Sequence, residues 1–148
     1  MAEIRLLRKH EIGALARLDD EIFGKYSYSA VALRQFWDLA GPLLQVAVED
    51  SNPVGYGLIL PSAESGSGWF LSLAVTAHRR AMGLGRALAL ATLSAADSAG
   101  LTTLRLTVEP TNASAIRLYD RLGFVAEHRE PNYFGTDEDR LVMISRRP

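Results

Sequence analysis

Residues 71–90, LSLAVTAHRRAMGLGRALAL, join an extended run to a basic turn, two glycines one residue apart, and a helical run that starts there. Such a junction is suited to binding an anion. The first N–H groups of a helix lack intrahelical partners and carry partial positive charge, and glycine lets a bulky pyrophosphate approach the backbone. Gly83 and Gly85 fit that task, and Arg79, Arg80 and Arg86 add fixed positive charge suited to phosphate. A dinucleotide fingerprint would need a third small residue where Leu88 stands, and the Gly-Lys-Ser/Thr of a Walker A loop is absent. By itself a glycine pair is also compatible with a plain tight turn. Further on, Asn112 and Tyr119 stand seven residues apart. On a helix that is nearly two turns, so both project from about the same face and can serve one ligand. A helix cap at Asn112 and a packed aromatic at Tyr119 would satisfy the same spacing.

These residues need a frame to position them. Ile4–Leu7 read as an opening strand, and Ile12, Leu15, Leu18 and Ile22 recur at helical spacing. Ser29 is placed to cap a second helix that stops at Gly41-Pro42. Between the two helices, Tyr26 is a candidate contact for a substrate. Runs 43–49 and 54–60 flank the turn-forming Asp50-Ser51-Asn52-Pro53 and predict a β-hairpin, after which Ser62–Gly68 read as a loop and Trp69–Val75 as a strand. A helix is expected from about Gly83 to Ala99, lined by Leu84, Leu88, Ala91 and Ala95, with Gly100 as its left-handed terminus. Leu104, Leu106 and Val108 alternate with polar residues as in a strand. A helix over 113–122 and strands over 124–127 and 141–145 complete the chain.

Composition narrows the chemistry. A chain of 148 residues with 48% apolar and 22% charged residues is expected to fold as one domain, 1–148. A net charge of -1 gives no field for nucleic acid, and the lack of cysteine excludes disulfides and thiolate chemistry. No segment approaches the roughly 20 apolar residues that span a bilayer, so no membrane partner and a cytoplasmic location are expected.

Arg80-Ala81-Met82-Gly83-Leu84-Gly85 resembles the R/Q-x-x-G-x-G/A motif of the GNAT acetyltransferases, with Ala81 where glycine is frequent. Residues 104–124, LRLTVEPTNASAIRLYDRLGF, resemble that family's second signature. The resemblance implies an α/β (α+β) single-domain fold, with a mixed sheet of six or seven strands and about four helices. It also implies acetyl-CoA as cosubstrate, no metal, and acetyl transfer to a primary amine by direct attack. Carried over, Leu73, Val75, Arg80, Gly83, Gly85, Arg86, Ala87 and Asn112 contact the coenzyme, and Tyr119 protonates the departing thiolate. The segment 129–147 resembles that of ribosomal-protein alanine and other N-terminal acetyltransferases at Arg129, Tyr133, Phe134, Asp139, Val142 and Met143. This implies that Tyr133 contacts an acceptor peptide. Thr107 stands where that subgroup has a glutamate base, which leaves Glu109, two residues on, as a candidate base, with His78 and His128 as further titratable groups. An α-amine of pKa about 8 costs about 3 kcal/mol less to neutralise at pH 7 than a lysine amine, so a site without a strong base suits peptide N-termini. Small-molecule amines are the alternative acceptors, and a noncatalytic acetyl-CoA-binding module is the alternative of another class. A monomer or a homodimer fits equally.

Overall fold

The structure, a computed structural model, describes residues 2–148. Seven strands form one sheet: β1 (Glu3–Leu6), β2 (Leu44–Glu49), β3 (Asn52–Pro61), β4 (Ser67–Val75), β5 (Thr103–Val108), β6 (Val125–Glu130) and β7 (Arg140–Arg146). Four α-helices accompany it: α1 (Ile12–Phe23), α2 (Ala30–Ala40), α3 (Leu84–Ser98) and α4 (Ala113–Arg121). The strand order is β1-β2-β3-β4-β5-β7-β6, and every pairing is antiparallel except β4 with β5. The mixed α/β architecture expected from the sequence is present.

Local chemistry sets most boundaries. Ser29 caps α2 by accepting the Ala32 N–H at 3.1 Å. The expected four-residue turn between β2 and β3 is tighter: Asp50 and Ser51 alone make it, at φ 50° and 65°, while Asn52 and Pro53 already pair with β2. Two left-handed residues match the twist of a hairpin. The expected strand start at Leu43 is instead the end of a 3-10 turn over Gly41–Leu43.

The two faces of β3 show how the layers stack. Tyr56 points toward α1, where its hydroxyl donates to Asp19 at 2.5 Å. Its neighbours Gly55 and Gly57 face α3 instead, since successive residues of a strand alternate. A Cβ on Gly57 would lie 2.3 Å from the Thr92 Oγ1, and one on Gly55 2.8 Å from Leu88. These glycines let α3 settle directly on the strand backbone and so fix where its N-terminus meets the sheet.

Candidate active site

The sheet is split at its middle. β4 and β5 pair only at Ser67↔Thr103, Gly68↔Leu104 and Trp69↔Arg105, although β4 continues to Val75 and β5 to Val108. Here Leu58 opposes Ser72 and Ile59 opposes Phe70, which leaves Leu71 as an extra residue in β4. A bulge of this kind bends its strand. β5 stays with β7 as far as Val108↔Leu141, so β4 and β5 diverge into a wedge. The Thr76 N–H bonds to Val54 O at 2.9 Å, which identifies that pair as hydrogen-bonded. By antiparallel alternation Ala74 and Ser72 also bond to β3, and Leu73 and Val75 turn their N–H and C=O toward the wedge.

Beyond β4 the chain forms a cradle. Ala81 and Gly83 both sit at left-handed φ, 63° and 79°, and Gly83 caps α3. The first helical bond runs from the Ala87 N–H to Gly83 O at 3.0 Å. The open donors are therefore those of Leu84, Gly85 and Arg86, and the expected Ala87 N–H is already engaged. The helix begins at Leu84, one residue before the second glycine. A Cβ on Gly83 would meet nothing within 4 Å, so conformation, not space, selects glycine there. The arginines divide their work. Arg79 makes a two-pronged ion pair with Glu49, and the Arg80 Nε donates to Val75 O at 3.2 Å, while Arg86 lies exposed on the first turn of α3.

Across the wedge, the Asn112 Oδ1 accepts the Ala115 N–H at 3.2 Å and caps α4, so its acceptor serves the helix while its NH2 group stays free. Tyr119 packs edge-on against Phe124, with centroids 6.2 Å apart, and its hydroxyl has no hydrogen-bond partner among the described residues. Burial pushes this phenol up to about 12.

Around the β6–β7 loop the structure joins segments distant in sequence. Tyr26 lies in a 3-10 turn between α1 and α2, and its hydroxyl donates to Glu138 of the β6–β7 loop. The Lys25 Nζ bonds the same carboxylate at 2.8 Å. The hydrogen bonds from Lys25 and Tyr26 hold the Glu138 carboxyl below its ordinary range. Tyr133 lines a groove with Trp69, Arg105, Glu127, Glu130 and Val142, and burial raises its phenol. Asp19 anchors this side from below by accepting the Tyr28 N–H at 2.6 Å in addition to the Tyr56 hydroxyl, and burial pushes its carboxyl up.

Glu109 is not where the strand pattern put it. β5 ends at Val108, and Glu109 opens a turn whose carbonyl accepts the Asn112 N–H, with its exposed carboxylate 3.7 Å from Arg140. His78 is exposed beside Thr76, and His128 lies between Glu127 and Glu130 on the edge strand β6. Sequence reasoning passed over Leu71, Asp19, Glu138 and Arg140. Only the Tyr28 and Tyr26 loop hinted at the last three, because the partners lie up to 113 residues apart.

Among the described residues no group of three or more His, Cys, Asp or Glu side chains is placed to hold a metal, and no helix is long and apolar enough to cross a membrane. Residues 10–124 match the model of the acetyltransferase (GNAT) family. An uncharacterized N-acetyltransferase of Methanocaldococcus jannaschii is 33% identical over 147 residues, covering 98% of this chain and 92% of that protein. The ribosomal protein bS18-alanine N-acetyltransferase of Escherichia coli is 38% identical over 75 residues, 49% of this chain and 51% of that protein. Among solved structures, the NatC complex bound to Gag peptide and CoA contains a chain that superposes with a TM-score of 0.90 at 20% identity, covering 99% of both chains.

Proposed function

The chain belongs to the GNAT acetyltransferase family and is an N-acetyltransferase, and from that premise we propose that it acetylates the α-amine of peptide or protein N-termini with acetyl-CoA. One observation supports the cosubstrate most directly: the unpaired edge of β4 leads straight to the open N–H groups at the start of α3. The edge at Leu73 and Val75 suits the amides of pantetheine, and the donors of Leu84, Gly85 and Arg86 suit its pyrophosphate. The NH2 group of Asn112, which the helix cap does not use, is a donor for the same ligand, and Arg80 assists through its bond to Val75 O.

In the transfer, the amine nitrogen bonds to the acetyl carbon, the carbon–sulfur bond breaks, and the proton that the nitrogen loses ends on the departing thiolate, directly or through solvent, to give the free thiol. An N–H of β4, that of Val75 or Leu73, polarises the carbonyl. Tyr119 donates to the leaving sulfur. With the phenol at about 12 against a thiol of about 8.5, complete proton transfer is uphill, so its contribution is a hydrogen bond to the developing thiolate. No carboxylate stands on β4 or β5, and Glu109 faces Arg140 instead. The amine therefore enters as its neutral fraction, which favours an α-amine over a lysine by about 100-fold at pH 7. The bS18-alanine enzyme's name and the peptide-bound NatC structure support the same acceptor class. Tyr26 and Tyr133 wall the acceptor cleft.

Matched peptides test this, one blocked at its N-terminus and one at its lysine, with thiol release followed at several pH values. The α-amine peptide is expected to react faster at pH 7. Preference for the lysine peptide would overturn the acceptor assignment.

A further inference from the structure

Arg140 is a charged residue only 7% exposed, and a buried guanidinium persists only where its charge and donors are met. The register shows where it sits. Val108↔Leu141 is the last pair of β5 with β7, and Arg140, the first residue of β7, pairs with Glu130 of β6 at the wide mouth of the wedge. Its guanidinium lies 5.1 Å from the ring centre of Tyr26 and 5.0 Å from that of Phe134. It faces Glu109 at 3.7 Å and Glu138 at 3.9 Å, and donates to Asp139 O at 2.8 Å. These partners come from three separate walls of the acceptor cleft: the segment before α2, the turn after β5, and the loop between β6 and β7.

We propose that Arg140 is a positioning residue for acceptor recognition, holding the 24–28 and 131–139 segments together by lying against both Tyr26 and Phe134, whose rings touch each other with centroids 6.0 Å apart. A flat, forked cation is what this role requires. Lysine would keep the charge toward Glu109 and Glu138 but lacks the broad planar fork that reaches both rings, both carboxylates and Asp139 O at once. Glu138 completes the device, because its carboxylate also binds Lys25 and the Tyr26 hydroxyl, so the two loops are tied both through Arg140 and beside it. None of these contacts lies in the α3 cradle, so coenzyme binding is independent of them. The proposal rests on the acceptor cleft assigned above.

The test uses Arg140→Lys and Phe134→Leu in the full chain. Phe134 is 57% exposed, so its replacement removes one aromatic contact to Arg140 without endangering the fold. Arg140→Lys is expected to raise the acceptor KM roughly tenfold and Phe134→Leu roughly threefold, with kcat and calorimetric acetyl-CoA affinity unchanged. Amide hydrogen exchange supplies a readout that needs no acceptor: in Arg140→Lys, residues 24–28 should exchange faster, although the substitution lies in β7. Unaltered exchange in 24–28 would overturn the proposal, as would an equal loss of acetyl-CoA affinity. Wild-type turnover of the α-amine peptide separately decides the reading on which it rests.

Discussion

The two halves of the cleft are built on different plans. The half proposed for the coenzyme is contiguous: β4, the turn and the first residues of α3 follow one another within residues 67–87, and most of its donors are main-chain N–H groups. The half proposed for the acceptor is assembled from residues 24–28, 109 and 131–140, and the contacts that join them are made largely by side chains. Backbone donors tolerate almost any side-chain change but depend on conformation, whereas a side-chain assembly changes with each substitution. A coenzyme site of the first kind can stay constant while an acceptor site of the second kind is retuned.

The largest effect should come from striking the contiguous half at its one conformationally demanding point. Gly83→Glu forces a left-handed φ of 79° on a residue with a Cβ and places negative charge where a pyrophosphate would sit. Acetyl-CoA affinity by calorimetry should fall by about 100-fold or more. Unchanged affinity would remove the cradle from the site.

Next in size is Tyr119→Phe, which keeps the ring against Phe124 and deletes only the hydroxyl. Turnover should fall about 100-fold while acetyl-CoA affinity holds. The phenol's raised value, about 12, also fixes a sign. It donates only while protonated, so no activity loss attributable to it should appear as pH rises from 7 to 10. A Tyr119-dependent decline within that range would contradict the environment described for this ring.

The contrast between the halves also explains what could be read in advance. The cradle, both signature segments and the overall order of strands and helices were legible because each depends on neighbours within a helix or strand. Gly83 and Gly85 sit at the strand-to-helix turn that local pattern placed there, and Leu73 and Val75, singled out by the family resemblance, lie on β4. The fate of Ala87 was not legible, because it depends on which residue caps α3. The bulge at Leu71 has no signature in an apolar run, since it records the register of β3 against β4. The position of Glu109 just past the end of β5 was not legible, because the alternation runs through Glu109 whereas the strand stops at Val108. Arg140 was invisible for the same reason as Glu138: its partners are assembled by the fold.

The smallest effect sharpens the comparison from the conformational side. Ala81 holds a left-handed φ of 63° with a Cβ. Ala81→Gly should relieve about 1 to 2 kcal/mol of that strain, offset in part by the greater freedom of glycine in the unfolded chain. A net gain of about 0.5 to 1 kcal/mol would raise Tm by roughly 1 to 4 °C in a scanning experiment. A lowered Tm would mean that the loop's conformation is relaxed as it stands.

The divergence of β4 from β5 leaves the edge of β4 beyond Trp69 without a partner strand. If the amides of a small molecule complete the ladder, that molecule is a structural member of the fold during its residence. Cosubstrate at 100 times its Kd would then add about 2.7 kcal/mol to the stability of the protein. The supply of activated acetyl groups would set the durability of the catalyst along with its rate.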